Sequence, residues 1–563
     1  MIKKNKKIIL EDSKISLIKI NSKSEFNIQF NRIAFIFFVF FMVSLIYSIH
    51  LLHLGTREVV KVEQNLISPL SKKLYRADIV DRNERIIVKT VSSIDVGINP
   101  LDIIDEKKLL INLRYIFPKK DYFTIKKKIN KRKFFWFEKK ISEENYERIM
   151  RLGDKSIIPV EKIIRLYPQE NLFSHIIGQI DEDNNGISGL EKSIDEKLKM
   201  NLSPIKLTVD NNVQFLIRNE LVRFKKIFKA KGAAAILMDV DNGEILSLVS
   251  LPDFNLNERR KITNVNYINK VTKGTYEFGS VFKTFTLASA LNDGLIDLDT
   301  KFINLPKSIM CGGYPIREYD EKIPSNLSAE QILIRSGNIG SVRIAQKVGS
   351  ERYEDFLKKI GIFGKIDFDI DEIARPKKFN LGKCKLATAS YGHGVSTTIL
   401  QLAKGYSILT NGGYYINPKL IKNDENQKNK KKKILKDGVS EKLTKTLRKV
   451  VASDEGTANL ADVRGFKIAG KTGTAQQPIK GEYSNIKINT FASIFPASKP
   501  KFVLIVMLES PKGSPTYIYN YRNKNGSFKG TPFNTAGWTS VEVAGQIIDK
   551  IGPILATNYL QIY

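Results

Sequence analysis

Three short strings stand far apart in this chain and make chemical sense only together: Ser280-Val281-Phe282-Lys283, Ser336-Gly337-Asn338 and Lys471-Thr472-Gly473-Thr474. There are 56 positions from Ser280 to Ser336 and 135 from Ser336 to Lys471. A fold that uses all three must bring remote segments to one place. A serine hydroxyl is a weak nucleophile and needs a neighbouring base. A lysine three positions on lies on the same face of a helix. The run Ser280 to Leu291 mixes helix formers with apolar residues and has no Gly or Pro, so it predicts a buried helix, entered abruptly at Gly279. Ser280 is then expected at the helix N-terminus, where free N–H groups favour developing negative charge. Lys283 acts as base only if its pKa is depressed, which burial near a second cation provides. Lys471 is the candidate for that cation.

In this order the trio resembles the signature S-x-x-K, S-x-N, K-T-G-T of active-site serine acyl transferases that act on D-alanyl peptides and β-lactams. In that reading Ser336 relays a proton between the lysines and a leaving amine, and Asn338 bonds the substrate's amide carbonyl. The apolar segment around the third string predicts an edge strand, with Gly473 allowing close backbone approach. Lys471 and Thr472 would hold a terminal carboxylate. The backbone N–H groups of Ser280 and Thr474 would form an oxyanion hole, a device worth about 3–4 kcal/mol. S-x-x-K alone carries little: it recurs at Ser16/Lys19 and Ser498/Lys501, both read as decoys.

From about Arg76 to Gln546 the chain resembles a class B penicillin-binding protein. Arg76-Ala77-Asp78-Ile79-Val80-Asp81-Arg82-Asn83 is similar to the family's R-G-x-I-x-D-R-x-G, with Ala77 and Glu84 in place of the glycines. Arg165-Leu166-Tyr167-Pro168, His175, Gly178 and Gly189-Leu190-Glu191 resemble its next series, with Glu170 where a glycine is usual. Asn269-Lys270 and Tyr276-Glu277-Phe278-Gly279 lead into the nucleophile, Phe278 replacing a proline. Phe134-Phe135-Trp136-Phe137, Ser390-Tyr391-Gly392-His393-Gly394, Lys471-Thr472 and Thr535-Ala536-Gly537-Trp538 resemble the septal, division-specific (FtsI-type) branch. The resemblance implies a peptidoglycan D,D-transpeptidase working through a serine acyl-enzyme. Its substrates would be stem peptides, a D-Ala-D-Ala donor and an amine acceptor, with β-lactams as covalent inhibitors. It implies no cofactor and no metal. Expected partners are a septal glycan polymerase and other division proteins.

The stretch from Ile33 to about Leu54 is long enough to span a bilayer, and Gly55-Thr56-Arg57-Glu58 after it shows no small-residue cleavage site. Residues 1–32 carry eight Lys/Arg against three acids, which places them in the cytoplasm by the positive-inside rule. The remainder is then periplasmic, anchored in the inner membrane by one helix. A net charge of +32 raises nucleic-acid binding as a rival, which that compartment excludes. Cys311 and Cys384 both fall outside the cytoplasm, where a disulfide is allowed, but their separation is not legible. The four histidines show no metal-ligand spacing, and His393 is read as structural.

The expected fold is mixed α/β (α+β). Residues 1–32 form the tail, 33–54 the transmembrane helix, 56–200 an elongated non-catalytic pedestal of the dimerisation type, and 205–555 a transpeptidase domain. In the last, a helix is expected over Asn212–Phe228. A hairpin is expected from Gly232–Asp239 and Glu244–Ser250, turning at Asp241-Asn242-Gly243. Thr490–Phe495 and Phe502–Glu509 read as further strands of a central antiparallel sheet flanked by helices. No stretch resembles a glycosyltransferase. Rival readings are a D,D-carboxypeptidase or β-lactamase with water as acceptor, a penicillin sensor or division scaffold, and an elongation-specific transpeptidase.

Overall fold

The computed structural model describes residues 34–52, 75–201, 203–258, 267–376, 382–422, 432–479 and 482–560. They fall into two units that divide after Leu74. In the first, helix α1 (Ala34–Leu52) has a mean hydropathy of 2.4 and is long and apolar enough to cross a membrane. The basic tail, with Ser16 and Lys19, lies outside the described residues.

The second unit opens with a five-stranded sheet: β1 (Ile79–Val80), β2 (Ile86–Ile98), β3 (Phe135–Ile141), β4 (Ile157–Leu166) and β5 (Ile205–Lys206). Strand β2 is its spine, and it serves two cores. Its start sends Ile87 and Val88 into the large core that also holds the Val281–Leu291 segment, whereas Val96 and Ile98 near its end pack with Leu109, Leu113, Ile125 and Ile129 in a separate small one. The pedestal thus has a head with its own interior and a base fused to the rest. Parallel pairing of Ile79 with Ile205 closes the base. There Arg76 and Arg165 grip the buried carboxylate of Glu191 at 2.6 and 2.8 Å, joining three of the strings quoted above. Glu84 and Glu170 hold φ of +66° and +49°, the left-handed region that favours glycine. The family's glycine geometry is kept here without glycine, and Glu84 adds an ion pair to Lys206 at 2.8 Å.

The larger sheet is antiparallel throughout, in the order β8-β9-β10-β6-β7: β6 (Gly232–Asp239), β7 (Ile245–Leu251), β8 (Ala469–Ile479), β9 (Glu482–Phe495) and β10 (Phe502–Glu509). Its period-2 pattern feeds two cores. Ala234, Ile236 and Met238 of β6 point into one, Ala233, Ala235 and Leu237 into the other. Helices α2 (Asn211–Ile227) and α6 (Ser540–Leu555) cover the second face. Helices α3 (Lys283–Asn292), α4 (Asn338–Val348) and α5 (Ile399–Thr410) belong to the first. Helix α2 starts one residue before its expected position because the Asp210 side chain accepts from the N–H groups of Asn212 and Val213. Strand β7 starts one residue late because Asn242 Oδ1 takes the Glu244 N–H at 2.8 Å and lengthens the turn. Cys311 and Cys384, left open by the sequence, are joined in a disulfide with Cα atoms 5.5 Å apart. The bond ties the hairpin Ser308–Cys311/Tyr314–Arg317 to the helix Lys383–Ala389.

Candidate active site

The helix expected from Ser280 starts three residues later. Gly279–Phe282 forms a 3₁₀ turn and α3 begins at Lys283. In a 3₁₀ turn residues three apart eclipse one another, so Ser280 and Lys283 keep the common face that the spacing requires. Gly279 enters the turn at φ +56°. Helix α3 is buried almost entirely, which removes Lys283 from water.

Burial has consequences for both lysines. Lys283 Nζ donates to Asn338 Oδ1 at 2.7 Å, to Ser336 Oγ at 3.2 Å and to the Ser336 carbonyl. Lys471 Nζ donates to the same Ser336 Oγ at 2.8 Å. One hydroxyl therefore bridges two buried amines, and Ser336 holds a φ of +60° to do so. Strained backbone at a non-glycine residue persists only where its surroundings enforce it. Desolvation pulls Lys283 down to about 7, against the nearby Glu318 carboxylate, which raises it. Desolvation and then the Lys283 cation hold Lys471 well below the ordinary lysine range. Burial is thus the main cause at Lys283, and the repulsion between the two cations adds to it at Lys471.

Glu318 was not legible in the sequence. It lies just past the hairpin and accepts from Asn338 N at 2.6 Å and Ile339 N at 2.9 Å. A carboxylate at the first turn of α4 suits the helix dipole. Asn338 Nδ2 also donates to the Arg317 carbonyl at 2.8 Å. An amide nitrogen carries two hydrogens, so one of them serves the scaffold and the other is left for a ligand.

Strand β8 is the edge of its sheet, as expected, and the Gly279–Phe282 turn lies against it. A Cβ on Gly473 would meet the Phe278 carbonyl at 2.1 Å, and one on Gly279 would meet the Thr474 carbonyl at 2.8 Å. The segments that carry the Ser280 and Thr474 N–H groups are therefore in contact. Gly392 lies on the other side: its Cβ would be 2.1 Å from the Gly279 carbonyl. Thr474 Oγ1 accepts from Ala536 N at 2.9 Å. The Thr472 hydroxyl pairs with that of Thr457 at 2.7 Å, and Thr457 is a second residue without a sequence signal. The Ser390–Gly394 and Thr535–Trp538 strings thus frame the same site as the trio. The decoy lysine Lys501 is engaged elsewhere, with Asp239 at 2.9 Å and Asp241 at 2.8 Å. Together these residues place a serine at a helix entrance, one 3₁₀ turn ahead of the first of two desolvated amines linked by a hydroxyl, and such amines are suited to accepting and returning a proton.

Two family models match the chain: the penicillin binding protein transpeptidase domain over residues 233–530 and the penicillin-binding protein dimerisation domain over 72–226. The chain is 27% identical over 498 residues to the probable peptidoglycan D,D-transpeptidase FtsI of Caulobacter vibrioides, covering 86% of this chain and 82% of that one. It is 28% identical over 484 residues to the stage V sporulation protein D of Bacillus subtilis, covering 78% and 75%. The crystal structure of penicillin binding protein 3 from Mycobacterium tuberculosis shares the fold, with a TM-score of 0.64 and 22% identity over 85% of this chain and 97% of that one. With a dimerisation domain ahead of a transpeptidase domain, and all three strings of the serine acyl-transfer signature gathered at one site, the chain belongs to the penicillin-binding protein transpeptidase family in its class B form.

Proposed function

We propose that this chain is a peptidoglycan D,D-transpeptidase whose catalytic residues are Ser280, Lys283, Ser336 and Lys471. The Ser336 hydroxyl shared by two buried lysines carries the reading. Ser280 Oγ attacks the penultimate D-Ala carbonyl of a stem peptide. The Oγ–C bond forms and the C–N bond to the terminal D-Ala breaks. Neutral Lys283 takes the serine proton, and Ser336 passes a proton to the departing amine. An amine of a neighbouring stem then attacks the ester, the Oγ–C bond breaks, and the hydroxyl regains its proton. Asn338 binds the donor's amide carbonyl, and Lys471, Thr472 and Gly473 hold its terminal carboxylate. The N–H groups of Ser280 and Thr474 stabilise the oxyanion.

The division-specific strings around the site, and the likeness to a protein named FtsI, favour septal over lateral crosslinking. The apolar helix and the basic residues before it favour a single-pass inner-membrane protein with a cytoplasmic N-terminus and a periplasmic catalytic domain. In this reading residues 56–200 serve as pedestal and residues 205–555 as the catalytic domain. A septal glycan polymerase and other division proteins are the partners that fit this role. The full-length protein supplied with pentapeptide stems should release D-Ala and form peptide dimers, and Ser280→Ala should do neither. Release of D-Ala without any dimer would favour the hydrolase reading. A tagged copy should gather at midcell, and an even distribution along the lateral wall would point to elongation.

A further inference from the structure

The K-T-G-T strand would hold a donor's carboxylate and Asn338 its amide carbonyl, but neither reads a side chain of the stem peptide. Beside the nucleophile lies a carboxylate that the steps above do not use. Glu277 is three residues before Ser280 and only 8% exposed. Its oxygens accept the Tyr483 hydroxyl at 3.3 and 3.5 Å, and the Gly394 N–H also bonds it. Among the described residues no lysine or arginine pairs with it. Tyr483 lies on the part of β9 that pairs with the end of β8 beyond K-T-G-T. The His393 ring lies 4.4 Å from the Tyr483 ring, with Tyr391 next to it at 5.8 Å. Gly392, in the same loop as His393, packs on the Gly279 carbonyl. The cluster is thus fixed to the nucleophile's own segment, and it opens to solvent at Tyr483, which is 46% exposed.

A buried carboxylate without a counter-ion is costly, and a cation arriving with the substrate offsets that cost. Aromatic faces around the carboxylate add to the attraction for a cation. His393 does not compete, because burial lowers its pKa and keeps the ring neutral. The geometry points to Glu277, Tyr483 and His393 as a subsite for the side-chain ammonium group of a stem-peptide diamino residue. The inference rests on the transpeptidase reading and names the substrate class for it. That ammonium can come from two sources, the third residue of the donor stem or the acceptor stem, and either uses the same chemistry.

The test uses the full-length protein and two pairs of probes. The donor pair is a pentapeptide ending in D-Ala-D-Ala with a free side-chain amine, and the same peptide with that amine acetylated. The acceptor pair is meso-diaminopimelic acid and D-alanine, offered to the acyl-enzyme made from the acetylated donor. The wild type should prefer the free amine by about tenfold in at least one pair, the size of a charge-assisted hydrogen bond. Glu277→Gln should reduce that preference to less than twofold, and Tyr483→Phe should weaken it. A preference confined to the donor pair assigns the ammonium to the donor stem, and one confined to the acceptor pair assigns it to the acceptor. A wild type with no preference in either pair overturns the proposal, as does a preference that survives in Glu277→Gln. Penicillin labelling of the wild type separates the two levels: an adduct without amine preference sinks the subsite alone, and no adduct sinks the transpeptidase reading beneath it.

Discussion

At the scale of single residues the site depends on which proton sits where. In the proposed mechanism Lys283 must be neutral to accept the serine proton, and it is drawn down to about 7 by burial. Acylation by penicillin should therefore rise with pH through about 7 and level off above it. The Glu318 carboxylate favours the charged form of Lys283. Glu318→Gln removes that support, so the rise should move to lower pH. The plateau should also fall, because a glutamine has a single acceptor oxygen and one of the two N–H groups of Asn338 and Ile339 then faces its NH2 group. A pH–rate profile of acylation checks both, and a midpoint that stays put or moves up contradicts the assignment. That the strings of Ser280, Lys283, Ser336, Asn338 and Lys471 meet was legible in the sequence, because the proposed chemistry dictates residue type and spacing. Glu318 and Thr457 were not. Each acts through a contact made by the fold alone, at separations of about 20 and 15 positions, and neither lies in a patterned segment.

At the scale of elements the fit between the 3₁₀ turn and β8 leaves no space for a side chain. Gly473→Ala would drive a methyl into the Phe278 carbonyl, which lies 2.1 Å from the Cβ position. Misplacing a nucleophile by about 1 Å costs on the order of 10²-fold in rate. Acylation should fall by about that factor, with a loss of stability of about 1–3 kcal/mol from the overpacking; unchanged acylation argues against this packing. The disulfide is a second restraint, closing a loop of 73 positions. A loop of that size implies about 4 kcal/mol on the chain-entropy view. A Cys311→Ser/Cys384→Ser double variant should show that loss in denaturant unfolding, and equal stability would show that the bond bears no load. The strands Gly232–Asp239 and Phe502–Glu509 were read correctly because both of their faces are buried and apolar. The beginning of β9, at Glu482–Lys487, was missed. There β9 pairs only with the end of β8, outside the three-layer core, so no apolar alternation marks it.

At the scale of the whole molecule, one buried ion cluster ties together three remote strings at the base of the pedestal. Glu191 lies between Arg76 and Arg165, all three nearly inaccessible to water. Glu191→Ala would leave the buried Arg165 guanidinium without a carboxylate and Arg76 with Asp195 alone, a change that typically costs about 3–5 kcal/mol. Denaturant unfolding should reveal a loss of that order, and a loss below about 1 kcal/mol would mean that water or other groups take the carboxylate's place. The sequence strings for this cluster were legible only through family resemblance, because spacing alone does not say that residues 76, 165 and 191 meet. The division into one long apolar helix and a large folded remainder was legible from hydropathy, since a bilayer imposes its own length on a helix. The proposed acylation of Ser280 is the claim on which all three scales depend. The full-length protein should be treated with penicillin, digested and mapped by mass spectrometry. The account predicts one penicilloyl group on the peptide that contains Ser280, absent from Ser280→Ala; an adduct on any other residue, or one undiminished in the alanine variant, would contradict it.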